Sequence, residues 1–338
     1  MSALRKVFHF ALAAAVFAGV GLAPAHGQER SLGGRPLVEV SIGDQIGSEV
    51  DYANVWVAEH EGYFKDEGIK LVRKTYSNGP EALLHFANGE VDTMMGGLAP
   101  IMQAAARGQD FRIVMSVTKN NAPLVGRKDI TGWKQLEGKI VGSPGLGTVQ
   151  DAILNYVQAT EGIKFKRVFA KVSDFALMVD KGEIDAFISW EPAAATAIAQ
   201  NPRVHYVAQN PPIKNAESLI LIAHPGMVKN KPQVVAGLVK ATLRGMEFIK
   251  NNPPEKIAEI VAKKMKNPGA KPIALNAMGS VIITEPRVDM PSTRIILKTV
   301  ADAGKIPASF GNDVDGWINK YIDYSYLDKA EKELNARK

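Results

Sequence analysis

Residues 181–192 read KGEIDAFISWEP, and residues 88–100 read NGEVDTMMGGLAP. Both segments contain a glycine, an acidic residue, a β-branched residue and an aspartate in that order, and both follow a short helical pattern of apolar residues. Internal similarity is considered first because it decides the architecture of a chain. We predict two similar αβ lobes, each presenting the end of one strand to a shared cleft. Chance similarity of a common turn-into-strand sequence is the alternative.

The first 27 residues have the composition of a secretory signal peptide. Arg5 and Lys6 precede an apolar run over residues 7–22 that contains no charged residue, and small residues follow. The run is short and rich in Ala, whereas a membrane-spanning helix needs about 20 strongly apolar residues. We predict cleavage near residues 25–27 and export of a soluble protein to the periplasm. A retained N-terminal anchor is the alternative.

The composition argues against several classes of protein. The 338 residues include no Cys, which excludes disulfides, a lipid-bearing cysteine and thiol chemistry. The formal net charge of +6 is spread along the chain, whereas nucleic-acid-binding proteins gather basic residues on one face. The six His do not have the spacing of metal ligands. We therefore expect no nucleic-acid partner, no metal and no cofactor.

The apolar patterns divide the chain into alternating strands and helices, which predicts an α/β protein with mainly parallel sheets flanked by helices. The predicted strands lie at 37–42, 69–73, 111–118, 139–142, 204–207 and 218–223. The predicted helices lie at 51–60, 101–107, 148–162, 193–200, 232–250, 254–265, 294–303 and 315–334.

Two polar breaks, at 119–123 and 210–212, mark crossings between the lobes. After the signal peptide of residues 1–27, we predict a discontinuous first lobe formed by residues 28–119 and 217–338. The second lobe, residues 120–216, is inserted into it, and the two crossings form the hinge.

Four segments resemble, in order and spacing, the nitrate/sulfonate/taurine family of periplasmic binding proteins of ABC transporters. They are VAEHEGYFKDEGIKL, NGEVDTMMGGLAP, GKIVGSPGLGT and GEIDAFISWEP. The resemblance implies a type II-like periplasmic-binding-protein fold with two hinged lobes. It also implies that a monomer captures a small organic anion and delivers it to an ABC permease with its ATPase. The superfamily includes pyrimidine-forming enzymes that depend on a cysteine-rich motif, which this chain lacks.

The glycine-rich stretch 142–148, GSPGLGT, lies between a predicted buried strand and a predicted helix. Backbone N–H groups at such a helix start can bind an anion. We predict that Gly145, Gly147 and Thr148 bind an acidic head group and that Ser143 adds a donor. An ordinary βα turn is the alternative. Thr148 is also placed to cap the helix, with Asp151 three residues further on.

The second repeat ends in Trp190 and Glu191, at the carboxyl end of a strand, where open α/β sheets bind ligands. We predict that Trp190 forms a wall of the pocket and that Glu191 either contacts the ligand or caps the next helix. In the first repeat, Gly96 and Gly97 expose backbone on the opposite wall. Three hydroxyl residues complete the predicted ligand-binding site: Ser48, Tyr52 and Thr118.

A secreted enzyme and a ligand sensor are the alternative functions on this fold. The Ser116-x-x-Lys119 pattern lies on a predicted strand without companion motifs, and no nucleophile-elbow or zinc-protease motif occurs. We therefore predict no catalytic residue. The sequence does not select among sulfonate, taurine, nitrate, an aromatic carboxylate or a neutral heterocycle, nor does it separate transport from sensing.

Overall fold

The computed structural model describes residues 34, 36–265, 269–279 and 281–336. The predicted signal peptide and its cleavage site lie outside the described residues. Within those residues, the chain forms two five-stranded mixed sheets with helices packed on both. No helix in this part of the chain is both long enough and apolar enough to span a bilayer.

The ten strands are divided between the two sheets according to their place in the chain. They are β1 (Val38–Gln45), β2 (Ile69–Tyr76), β3 (Thr93–Gly97), β4 (Arg112–Lys119), β5 (Leu124–Arg127), β6 (Ile140–Ser143), β7 (Lys166–Phe169), β8 (Ala186–Ile188), β9 (Val204–Ala208) and β10 (Glu217–Ala223). The first sheet has the order β2-β1-β3-β10-β4, and the second has the order β7-β6-β8-β5-β9.

The two sheets have the same topology. In the first sheet β2, β1 and β3 are parallel, and β10 runs antiparallel to both β3 and β4. In the second sheet β7, β6 and β8 are parallel, and β5 runs antiparallel to both β8 and β9. The reversed strand of each sheet follows directly after a crossing from the other sheet. The prediction of mainly parallel sheets therefore holds except for one reversed strand in each.

The repeated sequence occupies equivalent positions, since β3 and β8 are both central strands. Asp92 donates its N–H to the Ser41 carbonyl (3.1 Å), and its carboxylate accepts the Ser41 N–H (2.8 Å). Asp185 makes the same two bonds with Ile140, both at 2.8 Å. Each repeated aspartate thus joins the start of its strand to the neighbouring parallel strand. Its role is structural.

The glycines of the two repeats also have the same conformation. Gly89 has φ of 74° and Gly182 has φ of 73°, and each lies directly beyond the end of a helix. Such left-handed positions favour glycine because a Cβ atom would be strained there. The shared sequence is therefore explained by a shared turn geometry.

In the described part of the chain, fifteen α-helices cover the two sheets. They are α1 (Ala53–His60), α2 (Tyr63–Asp66), α3 (Gly79–Ala87), α4 (Leu98–Ala106), α5 (Val149–Glu161), α6 (Phe175–Asp180), α7 (Ala193–Gln200), α8 (Pro225–Asn230), α9 (Pro232–Lys250), α10 (Pro254–Ala262), α11 (Ala270–Ala277), α12 (Met290–Asp302), α13 (Ala308–Asn312), α14 (Val314–Ile318) and α15 (Ser325–Asn335).

The strongest helical patterns are confirmed. The predicted helix 232–250 is α9, and the predicted helix 148–162 is α5, which Thr148 caps by accepting the Asp151 N–H. The predicted single helix 315–334 is wrong, because the chain breaks between α14 and α15. There Ile322 forms a parallel bridge with Ile113, so that this backbone pairs with the outer edge of β4. An exposed strand edge is thereby covered, a tertiary contact that helical spacing cannot show.

Two shorter elements differ from the predictions. The short helix α2 and the strand β7 have no counterpart among the predicted elements. The chain passes from the first sheet to the second between β4 and β5 and returns between β9 and β10. The lobe boundaries given above stay a prediction.

Candidate ligand-binding cleft

A small cavity of about 20 Å³, enough to hold a water molecule, lies between the two sheets. Its lining comes from the ends of β1, β3 and β10, from the first crossing, and from the start of α5 and the loop after β8. The lining residues are Gln45, Asp51, Gly79, Gly97, Pro100, Asn121, Thr148, Val149, Gln150, Trp190, Ser218 and Leu219. Both sheets therefore contribute walls to one cleft.

Three polar side chains of the cleft have buried atoms without a hydrogen-bond partner. They are the Asp51 Oδ1, the Gln45 Nε2 and the Asn121 Nδ2. The three residues are only 3%, 5% and 1% exposed. An unsatisfied buried polar group costs roughly 1–3 kcal/mol, and such groups need an explanation. Their convergence on one cavity is the pattern expected of a ligand site.

The electrostatics of the cleft are dominated by Asp51. Burial raises the pKa of this carboxyl group well above its usual range, and the nearby Glu191 and Glu49 carboxylates raise it further. The side chains of Asn121 and Thr118 act in the opposite direction and lower the pKa of Asp51. The Asn121 Nδ2 nevertheless makes no hydrogen bond of normal geometry. Among the described residues that line the cavity, none is Lys, Arg or His.

The two walls of the cleft contact each other directly. The Trp190 indole Nε1 donates to the Ile46 carbonyl at 3.1 Å. On another side of the cavity, the Gln103 amide donates to the Gly147 carbonyl at 2.8 Å. A Cβ atom added to Gly97 would lie 3.0 Å from the Val149 side chain, so the walls approach closely there as well.

Two donors of the glycine-rich loop, the Gly147 N–H and the Thr148 hydroxyl, bind acceptors within the chain. The Gly147 N–H donates to the Asp151 carboxylate at 2.9 Å, and the Thr148 hydroxyl donates to the Gly145 carbonyl at 2.8 Å. Arg167 on β7 pairs with the second Asp151 oxygen at 2.6 Å. The Asp151 carboxylate therefore accepts one of the N–H groups that were predicted to bind an anion, and the anion site stays a prediction.

The three predicted hydroxyl donors, Ser48, Tyr52 and Thr118, bind backbone carbonyls next to the cleft. Ser48 donates to the Gln45 carbonyl at 2.5 Å, and Thr118 donates to the Asp51 carbonyl at 2.6 Å. Tyr52 is buried and donates to a carbonyl of β3 at 3.3 Å. None of the three lines the cavity. Instead, they fix the segment 45–52, which carries two of the unpartnered polar side chains.

Glu191 caps α7. One carboxylate oxygen accepts the Ala195 N–H at 3.0 Å, and the other accepts the Tyr206 hydroxyl at 2.6 Å. Burial raises the pKa of Glu191 to about 7, while these two hydrogen bonds act in the opposite direction. The structure thus shows the capping contact, and a contact of Glu191 with ligand stays a prediction.

Of the residues predicted to bind ligand, Trp190, Gly97 and Thr148 line the cavity. Gly96 faces methionine and isoleucine side chains of the core. Ser143 is buried with an unpartnered hydroxyl, and it lies outside the lining of this cavity.

Sequence reasoning missed the three unpartnered residues and also Gln150 and Ser218. One available signal was the position of each polar residue at the end of an element: Gln45 ends β1, Asp51 precedes α1 and Asn121 lies in a crossing. Polar residues next to a predicted hinge could have been weighted more strongly than hydroxyl residues on strands and helices.

Two similarly built α/β lobes with a cleft between them are the architecture of the periplasmic-binding-protein fold. The chain belongs to the family described as NMT1/THI5 like, whose model matches residues 49–256. The nitrate-binding protein NrtA of Synechocystis PCC 6803 has the same fold. Its TM-score is 0.69 at 15% identity, and the match covers 88% of this chain and 89% of that chain. The fold and the family resemblance derived from the sequence are confirmed.

Two curated relatives are also similar. The formylaminopyrimidine-binding protein of Halalkalibacterium halodurans is 22% identical over 209 residues, which cover 60% of this chain and 63% of the relative. The 4-amino-5-hydroxymethyl-2-methylpyrimidine phosphate synthase of Aspergillus parasiticus is 24% identical over 237 residues, which cover 63% of this chain and 67% of the relative. The chain thus spans about two thirds of the length of these relatives.

Proposed function

We propose that this protein is the extracytoplasmic solute-binding component of an ABC import system. It encloses a small organic molecule in the cleft and presents the complex to a membrane permease with its ATPase. The observation that carries this proposal is the convergence of Asp51, Gln45 and Asn121, buried and unpartnered, on one cavity between the lobes. A bound solute would supply the missing hydrogen bonds.

The same geometry links binding to closure of the lobes. A solute that touches Asp51 on one side and Trp190 on the other stabilises the arrangement in which both lobes meet around it. A ligand shifts such an equilibrium by its differential affinity for the two states. The Trp190–Ile46 hydrogen bond then holds the closed arrangement, which the permease distinguishes from the open one.

The cleft supports binding better than catalysis. Ser116 and Lys119 match a catalytic pattern in the sequence, and the Lys119 Nζ lies 3.2 Å from the Ser116 Oγ. However, both residues are buried beside the crossings. The Ser116 hydroxyl donates to Glu217 at 2.5 Å, and the Lys119 ammonium donates to the Glu285 carbonyl at 3.0 Å. These groups therefore stabilise the crossing region and do not face the cavity.

The ligand class inferred from the sequence, a small organic anion, stays a prediction that the lining side chains do not favour. One relative is named for binding formylaminopyrimidine. A pyrimidine-like solute is therefore the second candidate, and it fits a cleft that has an aromatic wall and amide donors.

The test is to purify the mature protein, denature it and identify any released solute by mass spectrometry. A thermal-shift panel of sulfonates, carboxylates, nitrate and aminopyrimidines follows, because a tight ligand raises the melting temperature by mass action. Isothermal titration calorimetry with each hit gives stoichiometry and affinity. Recovery of the ligand unchanged after long incubation supports binding, whereas turnover of the ligand contradicts it.

A further inference from the structure

We infer that Asn120 and Asn215, one in each crossing, are the pivots that set the angle between the two lobes. Their left-handed backbone conformation belongs to the closed arrangement of the lobes, and it relaxes when the lobes move apart. This inference rests on the proposed function, because it assigns the residues that position the lobes around the solute.

The backbone of the two crossings, residues 120–123 and 209–216, has an unusual conformation. In the described part of the chain, Asn120 (φ of 63°) and Asn215 (φ of 54°) are the only residues other than glycine with a positive φ. A Cβ atom is crowded in this region, and asparagine tolerates the crowding better than most residues. Strained residues persist where the surrounding structure holds them, and they cluster at switch regions. The strain is therefore located where the chain passes between the lobes.

Asn120 lies between two anchored pieces of the first crossing. On its N-terminal side, Lys119 forms an antiparallel bridge with Ile282, whose two N–O distances are 2.9 and 3.0 Å, beside the first sheet. On its C-terminal side, the Pro123 carbonyl accepts the Ser189 N–H at 3.1 Å, which joins the chain to the end of β8 in the second sheet. A rotation of one lobe against the other must therefore be absorbed between residues 119 and 123. Asn120 is the residue with a strained backbone in this interval.

The second crossing is anchored in a similar way and is tied to the first. Glu217, the first residue of β10, donates its N–H to the Ser292 hydroxyl at 3.2 Å and is thereby fixed to the first lobe. Asn215 lies two residues before it, on the chain that comes from β9 of the second sheet. The Asn120 N–H donates to the Ala216 carbonyl at 2.8 Å, so that the two left-handed residues are held side by side. The two crossings therefore turn together.

The residue after the first pivot connects the crossing to the cleft. Asn121 donates its N–H to the Ser218 hydroxyl at 2.9 Å, and its Oδ1 accepts the Glu191 N–H at 2.7 Å. It therefore contacts β10 of the first sheet and the loop after β8 of the second sheet at the same time. The left-handed conformation of Asn120 is thus coupled to the closed arrangement, in which Asn121 reaches both sheets.

The test compares glycine with alanine at the two pivots. The double variants Asn120→Gly/Asn215→Gly and Asn120→Ala/Asn215→Ala both lose the amide groups, including the 3.4 Å contact of the Asn215 Nδ2 with Asp289. They therefore differ chiefly in how easily the backbone adopts the left-handed conformation. Gly182→Ala is the matched control, since Gly182 has φ of 73° and open space around it but lies away from the crossings.

A pair of spin labels measures the angle between the lobes. The chain contains no Cys, so Leu84→Cys and Leu146→Cys provide the only attachment sites. Both leucines are exposed and line one groove, Leu84 from α3 and Leu146 from the loop after β6. Double electron–electron resonance on the ligand-free mature protein gives the ratio of short to long label distances, which is the closed-to-open ratio. Effects on the unfolded chain cancel from this ratio, because both arrangements are folded.

We expect the closed-to-open ratio of the double alanine variant to lie at least about fivefold below that of the double glycine variant, which corresponds to about 1 kcal/mol. The wild type lies between them, because asparagine adopts the left-handed conformation more easily than alanine and less easily than glycine. Gly182→Ala lowers the free energy of unfolding in urea and leaves the ratio unchanged.

Equal ratios in the glycine and alanine variants overturn the inference and leave the proposed function standing. A shift of the same size in Gly182→Ala overturns it as well, because any strained turn would then act like a pivot. If the double alanine variant does not fold, the two single alanine variants decide. A wild-type protein that releases no solute on denaturation, and responds to no member of the thermal-shift panel, contradicts the proposed function itself.

Discussion

Replacing Glu191 by Gln removes a carboxyl group that is fully buried between the Ala195 N–H and the Tyr206 hydroxyl. Burial raises the pKa of this group from its ordinary value of 4.5 to about 7 on folding. The folded protein therefore binds the proton more tightly than the unfolded chain. The stability that this proton confers is complete below pH 4.5 and is lost as the pH rises through 7. At about 1.4 kcal/mol per pKa unit, the loss amounts to roughly 3 kcal/mol.

The Glu191→Gln variant keeps an oxygen that can accept the Ala195 N–H but does not titrate. We expect its free energy of unfolding to match that of the wild type at pH 4.5 and to exceed it by roughly 3 kcal/mol, as an upper value, at pH 8. Urea denaturation followed by circular dichroism at both pH values measures this difference. Background titration of other buried acids, such as Glu217, cancels between the two proteins.

Glu183→Gln is the matched control, since Glu183 lies in the same repeat but is exposed. It should show no pH-dependent difference from the wild type. A Glu191→Gln difference that is the same at pH 4.5 and pH 8 would refute the argument that burial controls this carboxyl group. A loss of ligand affinity in the variant at unchanged stability would contradict its assignment as a helix cap.

Three further predictions concern the lobes and their connection. Trp190→Phe keeps the aromatic wall but loses the hydrogen bond to the Ile46 carbonyl. We therefore expect about three- to tenfold weaker ligand binding in calorimetry and a larger radius of gyration by X-ray scattering. Unchanged values would contradict the contact between the lobes. Asp92→Ala should lower the free energy of unfolding by roughly 1–3 kcal/mol in urea without changing Kd, and a changed Kd at full stability would contradict a structural role. The Lys119 Nζ lies 3.9 Å from the Glu217 carboxylate. Lys119→Met leaves this buried carboxylate without its cation and should lower the free energy of unfolding by roughly 3–5 kcal/mol at pH 8. The cost should be smaller at pH 5, because the pKa of Glu217, raised to about 7 chiefly by burial, allows it to be neutral there; a cost independent of pH would count against this ion pair.

Much of the fold could be predicted because its determinants are local. A left-handed glycine after a helix and an aspartate at the start of a strand recur in both repeats, and both features were visible at 88–92 and 181–185. Long amphipathic helices such as α9 were predicted with their boundaries. Predictions failed where the backbone of one segment pairs with a distant one, as Ile322 does with Ile113.

The ligand site was harder to predict, because its chemistry depends on which donors the protein uses itself. The loop 142–148 has the composition of an anion site, yet the Asp151 carboxylate accepts its Gly147 N–H and pairs with Arg167. Arg167 lies on β7, a strand that the apolar pattern does not indicate. No local pattern shows that a donor has already been taken by a residue from another element.

The sequence by itself determined the class of this protein: two αβ lobes built on one repeated turn-strand unit, connected by two crossings. It determined this because helix caps, turns and apolar periodicity act over a few residues. Only the tertiary structure decided that Gln45, Asp51 and Asn121 meet, unpartnered, in one buried cavity that Trp190 closes from the other lobe. The chemistry of that cavity depends on desolvation and on distances between residues far apart in the chain. The apolar periodicity of the sequence carries no information about either.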